Sequence, residues 1–83
     1  MNDAEFELMD ELYFVQPYSY LTETLDWEEE LLLSTLQALF LQGYIKCLDD
    51  PDTERFGAVD IIKDGKSLFF LATKNGLMAH NTL

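Results

Sequence analysis

The chain is poor in bases, sulfur and histidine. Five Lys and Arg residues stand against sixteen Asp and Glu, for a formal net charge of −11 at pH 7. Nucleic-acid binding draws much of its affinity from Lys and Arg neutralising phosphates. A field this negative repels a phosphate backbone and an anionic membrane surface alike. It favours a basic protein as partner, although the plainer account is that the acids keep the chain in solution. Cys47 is the single cysteine, which excludes an internal disulfide. Its apolar neighbours predict a buried, inert thiol, because reactive thiols need electropositive surroundings. One Cys and one His cannot supply a zinc site. No apolar run approaches the roughly twenty residues of a membrane span, and the acidic start Met1-Asn2-Asp3-Ala4-Glu5 lacks the basic region of a signal peptide. The expectation is a reducing, cytoplasmic setting with no membrane.

Catalytic patterns are missing as well. There is no glycine-rich phosphate loop, and no Ser or Cys has a histidine near it in sequence. His80 stands three residues from the end, where fraying is expected. Asp50-Pro51-Asp52-Thr53-Glu54 begins like a calcium loop, but Arg55 occupies the position that requires glycine and Ile61 the one that requires glutamate. No enzyme, catalytic residue, cofactor or metal is expected.

A 48% hydrophobic and 13% aromatic composition is too apolar for a disordered chain and predicts one small domain over residues 1–83. Phe6, Leu8, Met9, Leu12 and Tyr13 recur at helical spacing, predicting a first helix from Asp3 or Ala4 to about Phe14. Gln16-Pro17 ends it, because proline removes a backbone donor. Ser19 is placed to cap a short second helix from Tyr20 to Leu25. Asp26 and Glu29 have the spacing of a capping box for a third helix running to Gln42. Its buried face is expected to carry Leu31, Leu32, Thr35, Leu36, Leu39 and Phe40, and Gly43 supplies a left-handed stop. So short a connection forces the second and third helices to cross sharply, as in a helix-turn-helix. Strands are expected over Tyr44–Leu48, Gly57–Ile62 and Ser67–Leu71, the last two joined by a tight turn at Lys63-Asp64-Gly65-Lys66. Thr73 would cap a closing helix from Lys74 to His80.

Two stretches carry a family resemblance: Leu36-x-x-Leu39-x-x-x-Gly43-Tyr44-Ile45 and Phe70-Leu71-Ala72-Thr73-Lys74-Asn75-Gly76. They resemble the end of a recognition helix entering a wing, and the return strand into a closing helix, of bacterial winged helix-turn-helix transcription regulators of the MarR type. Ala72 intervenes in the usual Leu-Thr pair. The resemblance runs from about Tyr18 to Met78. It implies an α+β fold: a small winged helix-turn-helix with about three N-terminal helices, a short antiparallel sheet forming the wing, and a short C-terminal helix. It also implies transcription regulation, with the third helix in a major groove and the wing tip on phosphates.

The charge on that helix opposes the implied function. Glu28, Glu29 and Glu30 open it, and it carries no base. At an effective dielectric of about 20 and a separation of roughly 4 Å, one like-charge contact costs on the order of 4 kcal/mol before screening. The same glutamates favour a helix N-terminus by about 0.3–1 kcal/mol each, so they stabilise the helix and repel DNA at once. Off its apolar face the helix is expected to present Glu30, Leu33, Ser34, Gln37 and Leu41. Ser34 and Gln37 have the chemistry to reach a base edge, and Lys63 and Lys66 to contact phosphate at the wing. An outward Leu33 and Leu41 instead predict a protein partner. The aromatics Tyr13, Phe14, Tyr18, Tyr20 and Trp27 fit core packing or an interface, since stacking platforms for single strands need a basic groove.

The expected function is therefore a non-catalytic interaction module. Its surface would comprise Trp27, Glu28, Glu29, Glu30, Leu33, Ser34, Gln37 and Leu41, and its partner would be a basic protein or a second copy in a homodimer. Direct DNA binding, as a dimer or with a partner supplying positive charge, is the alternative. A third possibility is an acidic decoy for a DNA-binding protein's basic groove.

Overall fold

Asn2 starts the first element. Its side chain accepts from the Glu5 amide at 2.8 Å while the Asn2 amide donates to Glu5 Oε1 at 2.9 Å, the reciprocal pair that fixes a helix start. The computed structural model describes residues 1–81. Among them the order is α1 (Asp3–Met9), β1 (Gln16–Pro17), α2 (Tyr18–Leu25), α3 (Glu29–Leu41), β2 (Ile45–Asp50), β3 (Thr53–Arg55), α4 (Ile61–Asp64, continued by a 3-10 turn Gly65–Ser67), β4 (Phe69–Ala72) and α5 (Lys74–Asn81). The fold is α+β, with five helices and a four-stranded antiparallel sheet in the order β1-β4-β2-β3.

The sheet and helices share one core. Ile45, Cys47, Phe70 and Ala72 lie opposite one another in the β2–β4 ladder and are all buried. Leu32, Leu36 and Leu39 of α3, Leu8 and Met9 of α1, and Leu21 of α2 belong to the same cluster. The end of α3 is as expected. Gly43 adopts φ +78°, its amide donates to the Phe40 carbonyl, and the Tyr44 amide donates to the Leu39 carbonyl. That is the paired closure of a helix C-terminus that needs a left-handed residue. Thr73 caps α5 as predicted: its Oγ1 accepts from the Gly76 amide at 3.1 Å and donates to the Gly43 carbonyl at 2.6 Å.

Several expectations are corrected. The first helix stops at Met9, with the amides of Glu11 and Leu12 closing tighter bonds to Leu8 and Met9. The Leu12 carbonyl is captured by the Ala72 amide at 2.8 Å, so the sheet end takes a group the helix would have used. The second helix begins at Tyr18, and its N-cap Pro17 makes no side-chain bond, so Ser19 lies inside the helix. The Tyr18 amide donates instead to the Leu68 carbonyl. Asp26 does not cap the third helix. It closes the second in the left-handed region at φ 53°, and Glu28 takes the N-cap position with no side-chain bond.

The largest correction concerns residues 57–67. The strand that returns from β2 is β3, through the turn at Asp50–Thr53, and residues 61–67 form helical turns rather than a strand and a hairpin. Asp60 Oδ1 caps α4 by accepting from the Lys63 amide at 3.2 Å. Gly65 has φ −57°, so it does not supply a left-handed turn. Its role is space: a Cβ there would stand 2.9 Å from Leu33 Cδ2 and 2.8 Å from Ile61 Cγ2.

Candidate functional site

The candidate surface is built on α3, whose inner face is set by Leu32, Leu33, Thr35, Leu36 and Leu39, all buried. Leu33 was expected outside. It packs beneath Gly65 because the α4 turn covers that side of the helix. Leu31, expected inside, is 45% exposed, and Leu41 is 75% exposed. Ser34 is exposed and donates its hydroxyl to the Leu31 carbonyl at 3.1 Å, while Ala38 is half-buried. Residues 31, 34, 38 and 41 follow a spacing of three, four and three, which keeps them on one stripe of a helix. The outer face of α3 is thus a seam of two leucines around two small residues.

Of the two predicted base readers, Gln37 is engaged in holding the fold, while Ser34 stays exposed on α3. Gln37 Oε1 accepts from the Ile61 amide at 2.9 Å, fastening the start of α4 to α3. Lys66, expected at a wing tip, pairs with Glu29 at the start of α3. The Glu29 carboxylate beside it holds the Lys66 ammonium above its ordinary range, chiefly through their hydrogen bond. Lys63 is exposed on α4 and has no ion pair among the described residues, so the two lysines form no shared basic tip. Glu28 and Glu30 are exposed, and Trp27 is half-buried against the core.

The bases elsewhere are similarly paired. Arg55 donates through Nε to Asp49 Oδ1 at 2.8 Å, with Asp64 at 3.8 Å, and Lys46 pairs with Glu54 at 3.2 Å. The register of the β2–β3 ladder shifts between Leu48 and Asp50, at Asp49, whose carboxylate accepts from Arg55. Only Lys63 and Lys74 lie outside ion pairs among the described bases. Such pairs leave little positive potential for a polyanion.

The aromatics do not form one patch. Tyr18 is buried, the Tyr20 hydroxyl donates to Glu11 Oε1 at 3.0 Å, and Phe14 is 79% exposed beyond α1. Tyr13 belongs to a site that sequence reasoning missed. His80 is buried rather than frayed, stacked on Phe6 at 4.1 Å between ring centres. Its Nδ1 lies 2.6 Å from Tyr13 Oη, and its Nε2 lies 3.0 Å from Asp10 Oδ1 and 3.1 Å from the Phe6 carbonyl oxygen. Every polar atom of the ring has a partner, so the histidine fastens α5 to α1. Nothing local in the sequence brings residue 80 to residue 6.

Cys47 is fully buried, and burial pushes its thiol up to about 11, with Arg55 opposing. Thiolate chemistry at neutral pH is thereby suppressed. Tyr18 Oη is buried without a hydrogen-bond partner among the described residues. Burial raises its pKa, with the Glu29 carboxylate adding and Lys66 subtracting. Among the described residues there is no cavity and no cluster of three or more His, Cys, Asp or Glu side chains able to hold a metal ion. None of their helices is long and apolar enough to cross a membrane. Comparison with protein families, curated proteins and solved structures finds no match to this chain.

Proposed function

We propose that this chain is a non-catalytic, winged-helix-like interaction module with a regulatory role in the cytoplasm, and that the outer face of α3 binds protein rather than DNA. The observation that carries this reading is the composition of that face. Leucines and carboxylates stand where a DNA reader needs bases, while Gln37 and Lys66 are already bonded to Ile61 and Glu29. A winged-helix architecture is supported by three N-terminal helices with β1 between the first two, by a sheet in which β4 lies between β1 and β2, and by a closing α5. In that reading the wing is the β2–β3 hairpin, rich in Asp49, Asp50, Asp52 and Glu54, and α4 is an addition between the wing and the return strand. The partner is a basic protein or a second copy.

The test is an NMR titration of the full chain with duplex DNA at about 20 mM salt, where electrostatic affinity peaks, with polylysine, and with itself by dilution. The reading expects shifts at Leu31, Ser34, Ala38 and Leu41 with polylysine or on dilution, and none with DNA. Duplex binding through α3 would replace it with the DNA-binding alternative. No perturbation of α3 by any of the three would remove it.

A further inference from the structure

Resting on the protein-binding reading, we infer that the occupant of the α3 face is a second copy of the chain, packed antiparallel about a two-fold axis level with residue 36. The exposed seam is self-complementary. Leu31 and Leu41 share residue 36 as their midpoint, and so do Ser34 and Ala38. In an antiparallel pair Leu31 meets the partner's Leu41, and Ser34 meets the partner's Ala38. Each contact is made twice, as a two-fold interface requires. Small residues at the centre let the helices approach, and the outer leucines, 45% and 75% exposed in the single chain, become covered.

Charge selects the same orientation. The exposed glutamates 28, 29 and 30 stand at the N-terminal end of α3. At its other end the Thr73 hydroxyl bonds to the Gly43 carbonyl, which sets Lys74, exposed and without an ion pair among the described residues, beside the C-terminus of α3. Antiparallel packing brings each glutamate cluster toward the partner's Lys74 and aligns opposite helix dipoles. Parallel packing would place both glutamate clusters together.

A cationic partner would satisfy the carboxylates as well, but its binding responds to salt in the opposite sense. Two chains of net charge −11 repel one another at long range, and salt screens that repulsion, so the leucine seam tightens as salt is added. Capture of a cation weakens. One helix pair also covers less than the roughly 1,200 Å² at which stable interfaces begin, so self-association belongs in a concentration-dependent range rather than in an obligate dimer.

The test is sedimentation equilibrium of the full chain from about 5 to 500 µM, a range bracketing the weak affinity expected of a small interface, at low and at high salt. The expected result is a reversible monomer–dimer equilibrium that tightens several-fold with salt. Leu41→Glu, at an exposed position, should leave the circular dichroism unchanged and weaken dimerisation at least about a hundredfold, because two leucine contacts are lost. Lys74→Glu should weaken it more than the same charge change at Lys63 on α4. A monomer at every concentration, a dimer indifferent to Leu41→Glu, or a dimer dissolved by salt overturns the inference. If the chain stays monomeric but polylysine perturbs the α3 face, the protein-binding reading survives. If neither self-association nor polylysine perturbs that face, both fall.

Discussion

Replacing Gln37 by alanine separates a structural role from a recognition role. In the structure its side-chain oxygen is the acceptor for the Ile61 amide at 2.9 Å, and Ile61 is fully buried. Losing the acceptor removes one net hydrogen bond and leaves a buried N–H without a partner, together about 1–3 kcal/mol. For a domain this small, each kcal/mol moves the melting temperature by roughly 4–8 °C, so Gln37→Ala should melt many degrees below the parent. Gln37→Glu keeps an acceptor at the same reach and places a negative charge near the start of α4. It should remain within about 0.5 kcal/mol of the parent, since a carboxylate accepts a backbone N–H at least as well as an amide does. Urea denaturation at neutral pH, with m-values checked for equality, gives both numbers. A Gln37→Ala variant within about 0.5 kcal/mol of the parent would refute the argument that Gln37 is engaged in fastening α4. It would return that side chain to the pool of groups free to read a partner.

Three further outcomes are expected. Cys47, ordinarily near 9.0 and pushed up to about 11, holds its proton in the folded chain after the unfolded chain has lost it. Its contribution is therefore complete below pH 9 and lost as pH rises through about 11, on the order of 3 kcal/mol at about 1.4 kcal/mol per pH unit; denaturant titrations of the parent and Cys47→Ala should diverge in slope across that window, and parallel slopes would contradict it. Tyr18→Phe removes a buried hydroxyl that lacks a partner, so the variant should be neutral or up to about 2 kcal/mol more stable, and a loss above about 1 kcal/mol would mean the hydroxyl is bonded. Gly76→Ala should destabilise α5 by about 1–3 kcal/mol in thermal melts because its methyl overlaps the Tyr44 carbonyl oxygen; helix propensity alone predicts a gain of about 1 kcal/mol, so the sign decides.

The signals that read correctly are local. Gly43 is the stop of α3 because a left-handed residue was needed directly after a helical run. Thr73 caps α5 because its hydroxyl stands three residues before an amide that needs an acceptor. The excess of carboxylates, the single thiol and the α+β character also follow from the chain itself.

What went unread depends on neighbours distant in sequence. Leu31-Leu32-Leu33 is three leucines in a row, and periodicity alone does not say which one faces out. The α4 turn settles it by packing Gly65 on Leu33 and leaving Leu31 exposed. Asp64-Gly65 permits a hairpin without requiring one, and the bond from the Ile61 amide to Gln37 favours a helical turn instead. His80 lay beyond reach of any pattern, because its partners on and just after α1 are about seventy residues away. Sequence thus determined charge, the stop of α3, the cap of α5 and the apolar content of each segment, through interactions between residues a few positions apart. Tertiary packing decided which side of α3 is covered and which of its polar groups are already bonded, because those choices depend on what lies against the helix rather than on what lies along it.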